Sequence, residues 1–246
     1  MCDKSEIIWR FMELWKFRSI LEQHAIYFAR PRTFDDKWEG HWHPGYWRNT
    51  REFYGSDEGL AEEFETRVRR RRHGFLVSCW HRGRSESQAL WAQYTKDGPA
   101  VAIQSTIGDA LHSLRPHNYG IVQYYHPEDE PPKLNGIIGH DDILLKRDNF
   151  QYEREFRMWF MDDSILEKLG ADYRPLFDVT KLPDGEHKGI TEMDSLIHKV
   201  IVSPDSSDAF FEEVKELCAN HNGHQKTWLA NRVQRSPIES DPMAYV

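Results

Sequence analysis

Apolar positions recur along the chain in two periods, and the switches between them predict its elements. Residues 7–11 (Ile-Ile-Trp-Arg-Phe) read as a short first strand. Leu14, Phe17, Ile20 and Leu21 then recur at helical spacing, which predicts an amphipathic helix ending near His24. A second strand, 25–28, leads into a turn-rich run at 31–36. From Lys37 to Tyr54 aromatics mix with His, Gly and Arg in no clear period. Residues 38–57 are therefore expected to form an aromatic-rich loop, wrapped over the core by Trp38, Trp42, Trp47 and Tyr54.

Residues 58–73 predict a helix that starts acidic (Glu58, Glu62, Glu63) and ends basic (Arg67, Arg69, Arg70, Arg71, Arg72), with Gly74 as its stop. Strands are expected at 75–80, 100–103 and 120–125, with a short helix at 89–94 capped by Ser85 or Ser87 and another near 106–114. Residues 126–136 read as a long surface loop rather than a domain boundary. Beyond it the pattern predicts a helix near 138–149 and strands at 152–160, 176–179 and 198–203. A helix at 209–221 and short closing strands at 227–230 and 233–235 complete the chain. The order implies a single α+β domain, with a central mixed or antiparallel sheet, flanking helices, and sheet pieces from both ends of the chain meeting.

The segment 152–160 stands apart. Read with a period of two, Tyr152, Arg154, Phe156, Met158 and Phe160 face one way, and Glu153, Glu155, Arg157 and Trp159 the other. Three charges side by side on a strand that turns apolar require partners or a ligand.

Composition narrows the classes. The 246 residues are ample for a proper core, and nine Trp offer large contact areas. A formal charge of −8 argues against a chain built as a nucleic-acid clamp. Cys2, Cys79 and Cys218, odd in number and far apart, speak against a disulfide framework and for a reducing compartment. With no apolar run near ~18 residues, a soluble cytoplasmic protein with no membrane partner is expected.

Several stretches occur in a recognisable order. Leu14 to Phe17 precede 29–40, where Phe34-Asp35-Asp36-Lys37-Trp38-Glu39 resembles a Phe-Asn-Asp-Pro-Phe-Glu type motif. Then come Leu76-Val77-Ser78-Cys79-Trp80, Leu90-Trp91-Ala92-Gln93-Tyr94, 98–103, the 152–160 stretch, and Val200-Ile201-Val202-Ser203-Pro204. This order is similar to the bacterial family catalogued as domain of unknown function 2971, with Lys37 where that family usually has Pro and Asp35 where it often has Asn. The resemblance covers nearly the whole chain. It implies no established activity, only a frequent association with phage-defence and toxin contexts.

A second resemblance concerns roles. Arg-Ser-Glu class mono-ADP-ribosyltransferases use an Arg on a first strand, a Ser-x-Ser on a following strand, and a Glu-x-Glu entering a later one. Arg10, Ser78-Cys79-Trp80 and Glu153-Arg154-Glu155 follow that order, with Trp80 in place of the second Ser. The resemblance implies Glu155, Glu153 and Ser78 as catalytic residues, with Arg10, Trp80 and Arg157 on the cofactor side and NAD as substrate. Glu155 would steady the ribose as oxocarbenium character develops, Glu153 would orient or deprotonate the acceptor, and Arg10 would hold phosphate. The competing reading of the same residues is an ion network in which Arg10, Arg154 and Arg157 neutralise the two glutamates.

Two further features carry candidate chemistry. His41-Trp42-His43, near Asp35, Asp36 and Glu39, could chelate, but no third spaced His accompanies it, so no metal is expected. Arg67, Arg69, Arg70, Arg71 and Arg72 form a local basic patch on an acidic protein. It is read either as a nucleotide- or nucleic-acid-contacting surface or as a helix end complementing its dipole. The function classes left open are an ADP-ribosyltransferase-like enzyme or NAD glycohydrolase, and a non-enzymatic module of a defence system that binds a ligand, a protein or nucleic acid.

Overall fold

A computed structural model describes residues 2–55, 57–132, 141–162, 164–165, 178–220 and 227–238. Hydrogen bonding links nine strands into a mixed sheet with helices flanking it, so the fold is α+β, as the pattern predicts. Contacts divide the chain into two compact units. The first comprises 1–27, 79–115 and 187–246, and the second 28–78 and 116–186. Strands β2 (Ala25–Ala29), β3 (Phe75–Arg82) and β9 (Gly185–Gly189) supply residues to both.

In the first unit, β1 (Ile7–Glu13) runs antiparallel to β4 (Ala100–Thr106) from Ile7↔Thr106 to Glu13↔Ala100. β10 (Lys199–Val202) pairs antiparallel with β4 and parallel with β11 (Val233–Arg235). Strands from both ends of the chain therefore do meet. β4 is a central strand covered on both faces, which is why Ala100-Val101-Ala102-Ile103 is apolar without alternation. One face buries Trp9, Phe11, Leu90, Trp91, Ala100, Ala102 and Ile201 together. Phe11 meets the Trp91 ring edge-on at 4.8 Å. Helix α1 (Leu14–Gln23) buries Phe17, Ile20 and Leu21, the residues its spacing selects, and ends at His24 in the left-handed conformation. Ser87 caps α4 (Gln88–Tyr94), its side chain accepting from the Leu90 N–H. Thr106 caps α5 (Ile107–Leu114) in the same way through Asp109.

In the second unit, β8 (Glu155–Met161) pairs with β3 and, antiparallel, with β5 (Asn118–Ile121). A two-stranded parallel ladder, β6 (Gln123–Tyr125) with β7 (Leu145–Arg147), aligns Tyr124 with Lys146. Gly120 stands opposite Arg157. A Cβ there would lie 2.5 Å from Leu144 Cδ1, so only glycine lets that leucine close over the strand pair.

Several expectations change. The aromatic-rich loop contains a regular helix, α2 (Pro44–Tyr54), with Pro44 in its first turn and His43 as N-cap. It is followed by α3 (Glu58–Arg71). No α-helix occupies 141–149: there a 3₁₀ turn, Asp141–Leu144, leads into β7 and then a second 3₁₀ helix, Asp148–Glu153. The 152–160 strand begins only at Glu155, so Glu153 belongs to that 3₁₀ helix. Thr227–Ala230 is α8, a single helical turn rather than a strand. Helices α6 (Met193–Leu196) and α7 (Asp208–Asn220) complete the α-helices among the described residues. Of the expected loop at 126–136, residues 126–132 are described and carry no regular structure. Of the expected strand at 176–179, residues 176–177 lie outside the described residues, and Asp178 and Val179 instead cap and open a 3₁₀ helix, Val179–Lys181. No helix among the described residues is long and apolar enough to cross a membrane.

Candidate functional site

The second unit buries a charged cluster where a core would ordinarily be apolar. Arg157, on β8, is fully buried. Its Nε donates to Glu155 Oε2 at 2.7 Å, and its Nη2 to Glu155 Oε1 at 3.1 Å. Its Nη1 and Nη2 grip Glu39 at 2.8 and 3.0 Å, and Nη1 also donates to the Ile143 carbonyl at 2.7 Å. These bidentate forks match the planar guanidinium to two carboxylates at once. Lys146 on β7 lies 3.0 Å from Glu39, 2.6 Å from Glu155 and 2.6 Å from Glu153. The Glu155 N–H donates to the Tyr124 hydroxyl at 2.8 Å.

Two backbone features assemble this cluster. Arg154 takes a left-handed conformation (φ 44°), which ends the 3₁₀ helix and turns the chain into β8. That bend brings Glu153 and Glu155 onto one lysine. Gly40, at φ +68°, turns the chain directly after Glu39 and leaves room for the Arg72 stem, whose Cγ would lie 3.1 Å from a Cβ at that position. Arg72 in turn donates to the Glu39 and Pro31 carbonyls.

The electrostatics divide the two glutamates. Burial alone would raise the Glu155 carboxyl, but Arg157 and Lys146 overcome it and hold the group well below the usual carboxylate range. Glu153 moves the other way. Burial, then the hydrogen bond that its protonated form donates to the Glu155 carboxylate, push it up to about 7, with Lys146 opposing. Lys146 is disfavoured by burial, yet Glu155, Glu39 and Glu153 together raise it above the ordinary lysine value. The phenol of Tyr124 is also raised, by burial and then by Glu155. With Glu153 ionised the group holds three carboxylates (Glu39, Glu153, Glu155) against two cations (Lys146, Arg157). Proton uptake by Glu153 makes it neutral. A neighbouring pair, Asp36 with Arg147, is joined at 2.7 and 3.3 Å.

Each sequence-derived candidate has a definite place. Glu153, Glu155 and Arg157 come together. Ser78 is buried on the part of β3 that belongs to this unit. Arg157 has its donors turned to Glu39, Glu155 and Ile143, so it presents nothing to a phosphate. Arg10 and Trp80 belong to the first unit. There the Arg10 guanidinium donates to the Tyr27 carbonyl at 3.0 Å and sits 5.9 Å from the centre of the buried Trp80 ring. Burial, above all, lowers its pKa.

The basic patch is partly turned inward. Arg71 reaches the buried Asp142 at 3.3 Å, and burial holds that carboxyl up at about 6 against the pull of Arg71. Arg72 is bonded to backbone carbonyls, whereas Arg69 is exposed, 5.4 Å over the Trp47 ring. The side chains of Arg67 and Arg70 lie outside the described residues. His43 is buried as a cap: its Nδ1 accepts from the Gly45 N–H and its Nε2 faces the His126 carbonyl, which fixes the proton on Nε2. No group of three or more His, Cys, Asp or Glu among the described residues is arranged to hold a metal.

Sequence reasoning missed Lys146 and Tyr124, and it set Asp36 and Glu39 beside a chelating loop rather than with the 152–160 charges. Glu39 closes the motif at 34–39, and Lys146-Arg147 interrupts the apolar run that begins at Ile143. Charge placed inside apolar surroundings was the available signal. A scan against family models and searches of curated proteins and solved structures return no match.

Proposed function

We propose that the second unit carries the catalytic carboxyl of an ADP-ribosyltransferase-like enzyme or NAD glycohydrolase, with Glu153 as the proton-transferring group. The observation that supports this reading most is the carboxyl pair held on one lysine. Glu155 is sealed inside by Arg157 and Lys146, whereas Glu153, on the same Lys146, keeps side-chain surface in water. A pKa near 7 suits a general base at neutral pH.

The chemistry follows in two movements. As the bond between ribose C1′ and the nicotinamide nitrogen breaks, its electron pair leaves with neutral nicotinamide and positive charge spreads over C1′ and the ring oxygen. The net negative cluster favours that charge. Water or an acceptor hydroxyl then bonds to C1′, and its proton passes to Glu153. In this assignment Glu155 is a positioning residue, because its oxygens are engaged by Arg157 and Lys146. The test is NAD consumption by wild-type protein, Glu153→Gln and Glu155→Gln. Loss of turnover in Glu153→Gln with no fall in melting temperature supports the reading. Absence of turnover in the wild type, with and without nucleic acid, overturns it.

A second reading has its own observation: every donor of Arg157 is turned to a protein partner. The network is then a brace, and the protein a cytoplasmic ligand- or partner-binding module of a defence system. On that reading Glu155→Gln lowers the melting temperature. Binding to DNA or RNA through Arg69 and its neighbours would weaken as salt is raised.

A further inference from the structure

Beside the carboxyl pair lies a strip of rings and cations that the proton chemistry does not use. The buried Asp36 carboxylate is its anchor. Its Oδ1 accepts from the Trp38 backbone N–H at 3.0 Å and from Arg147 Nη2 at 2.7 Å, while its Oδ2 accepts from Arg147 Nε at 3.3 Å. One side chain thus fixes both the turn that carries Trp38 and the guanidinium that lies 5.5 Å over the Trp38 ring. Arg147 is also 5.8 Å from the centre of Phe150, and Lys146 is 4.8 Å from the same ring. Lys146 in turn holds Glu153. The strip therefore runs without a break from Trp38 to the titrating carboxyl.

Trp38 is 39% exposed although its backbone turn is held by Asp36 and a guanidinium lies over its ring. Asp36 holds the Trp38 backbone and Arg147 lies over the ring before any ligand arrives. Rings held in this way are preorganised for stacking, which tolerates any planar base. Arg147, paired with Asp36 through Nε and Nη2, keeps a partly exposed side chain whose Nη1 makes no hydrogen bond among the described residues and can donate to the edge of a base or to a phosphate oxygen.

We propose that Trp38, with Arg147 beside it, is the stacking platform for the base of a nucleotide. The proposal rests on the reading of Glu153 as a group acting on such a substrate. It adds the class of ligand recognised: a purine or pyridine nucleotide held by its base.

The test is calorimetric titration of ADP, with inorganic phosphate as a second probe, into wild-type protein, Trp38→Ala and Trp38→Phe, alongside NAD consumption by each. ADP is expected to bind the wild type, about tenfold or more weakly to Trp38→Ala, and within a few-fold of wild type to Trp38→Phe. Phosphate alone should bind Trp38→Ala and the wild type equally. ADP affinity unchanged in Trp38→Ala, or no ADP binding to the wild type, would overturn the proposal. The two readings fail separately. ADP binding that depends on Trp38 without NAD turnover removes the enzyme and leaves the platform. NAD turnover with an unaltered KM in Trp38→Ala does the reverse.

Discussion

Trp9, Phe11, Leu90, Trp91, Ala100, Ala102 and Ile201 fill one face of the first unit with apolar surface, and its buried-side cation, Arg10, rests on a carbonyl and an indole. The second unit places Glu39, Lys146, Glu155 and Arg157 in the interior instead. The first kind of core is held by area removed from water, which is non-directional and loses stability in proportion to what is cut away. The second is held by geometry. Each charge there is tolerable only because another is in place, so losing one partner costs far more than the pair itself contributes.

The largest expected effect follows from that asymmetry. Arg157→Ala strands Glu39 and Glu155 without their shared guanidinium, and a loss of about 3–5 kcal/mol is expected, read from the urea midpoint. Arg157→Lys should restore only part of it, since an ammonium cannot fork to two carboxylates. Leu90→Ala in the first unit should cost about 2–4 kcal/mol, and that loss should be the same at pH 5 and pH 8. A strong pH dependence of the Leu90 effect would erase the contrast between the two cores.

Glu153 sharpens it. The folded carboxyl titrates near 7, against an ordinary value of 4.5. Between those values the folded chain keeps a proton that the unfolded chain has released, so stability falls as pH rises across that window and then levels off. Glu155 has the opposite sign: its depressed pKa stabilises the fold above the ordinary carboxylate range and is lost in acid. Glu153→Gln mimics the protonated form, and should remove the fall between pH 4.5 and 7, worth up to about 3 kcal/mol. Urea melts of both proteins across that range are the check. The smallest effect is expected at Arg154, whose φ of 44° strains a residue with a side chain. Arg154→Gly should shift stability by less than about 1 kcal/mol, with the Glu153 titration unchanged.

Most of the first unit could be read from periodicity. Phe17, Ile20 and Leu21 mark a helix face, and the unbroken run at 100–103 marks a strand covered on both sides. The second unit resisted for identifiable reasons. Helix α2 opens on a histidine cap and leaves Phe53 strongly exposed, so its aromatics trace no apolar stripe. Residues 141–153 carry Asp142, Lys146 and Glu153 in tertiary pairs, and ion pairs have no sequence period. The charged face of β8 was visible as alternation, and it did announce Glu155 and Arg157. Its partners, Glu39 and Lys146, come from other segments and could be located only in the folded chain.

Two glutamates on one lysine are driven apart in acidity, leaving Glu153 to exchange a proton near neutrality. Carbon-13 NMR of protein labelled at the glutamate side-chain carboxyls measures this directly. One resonance is expected with a midpoint near pH 7, absent from Glu153→Gln. A spectrum in which every glutamate titrates below pH 5.5 would contradict it.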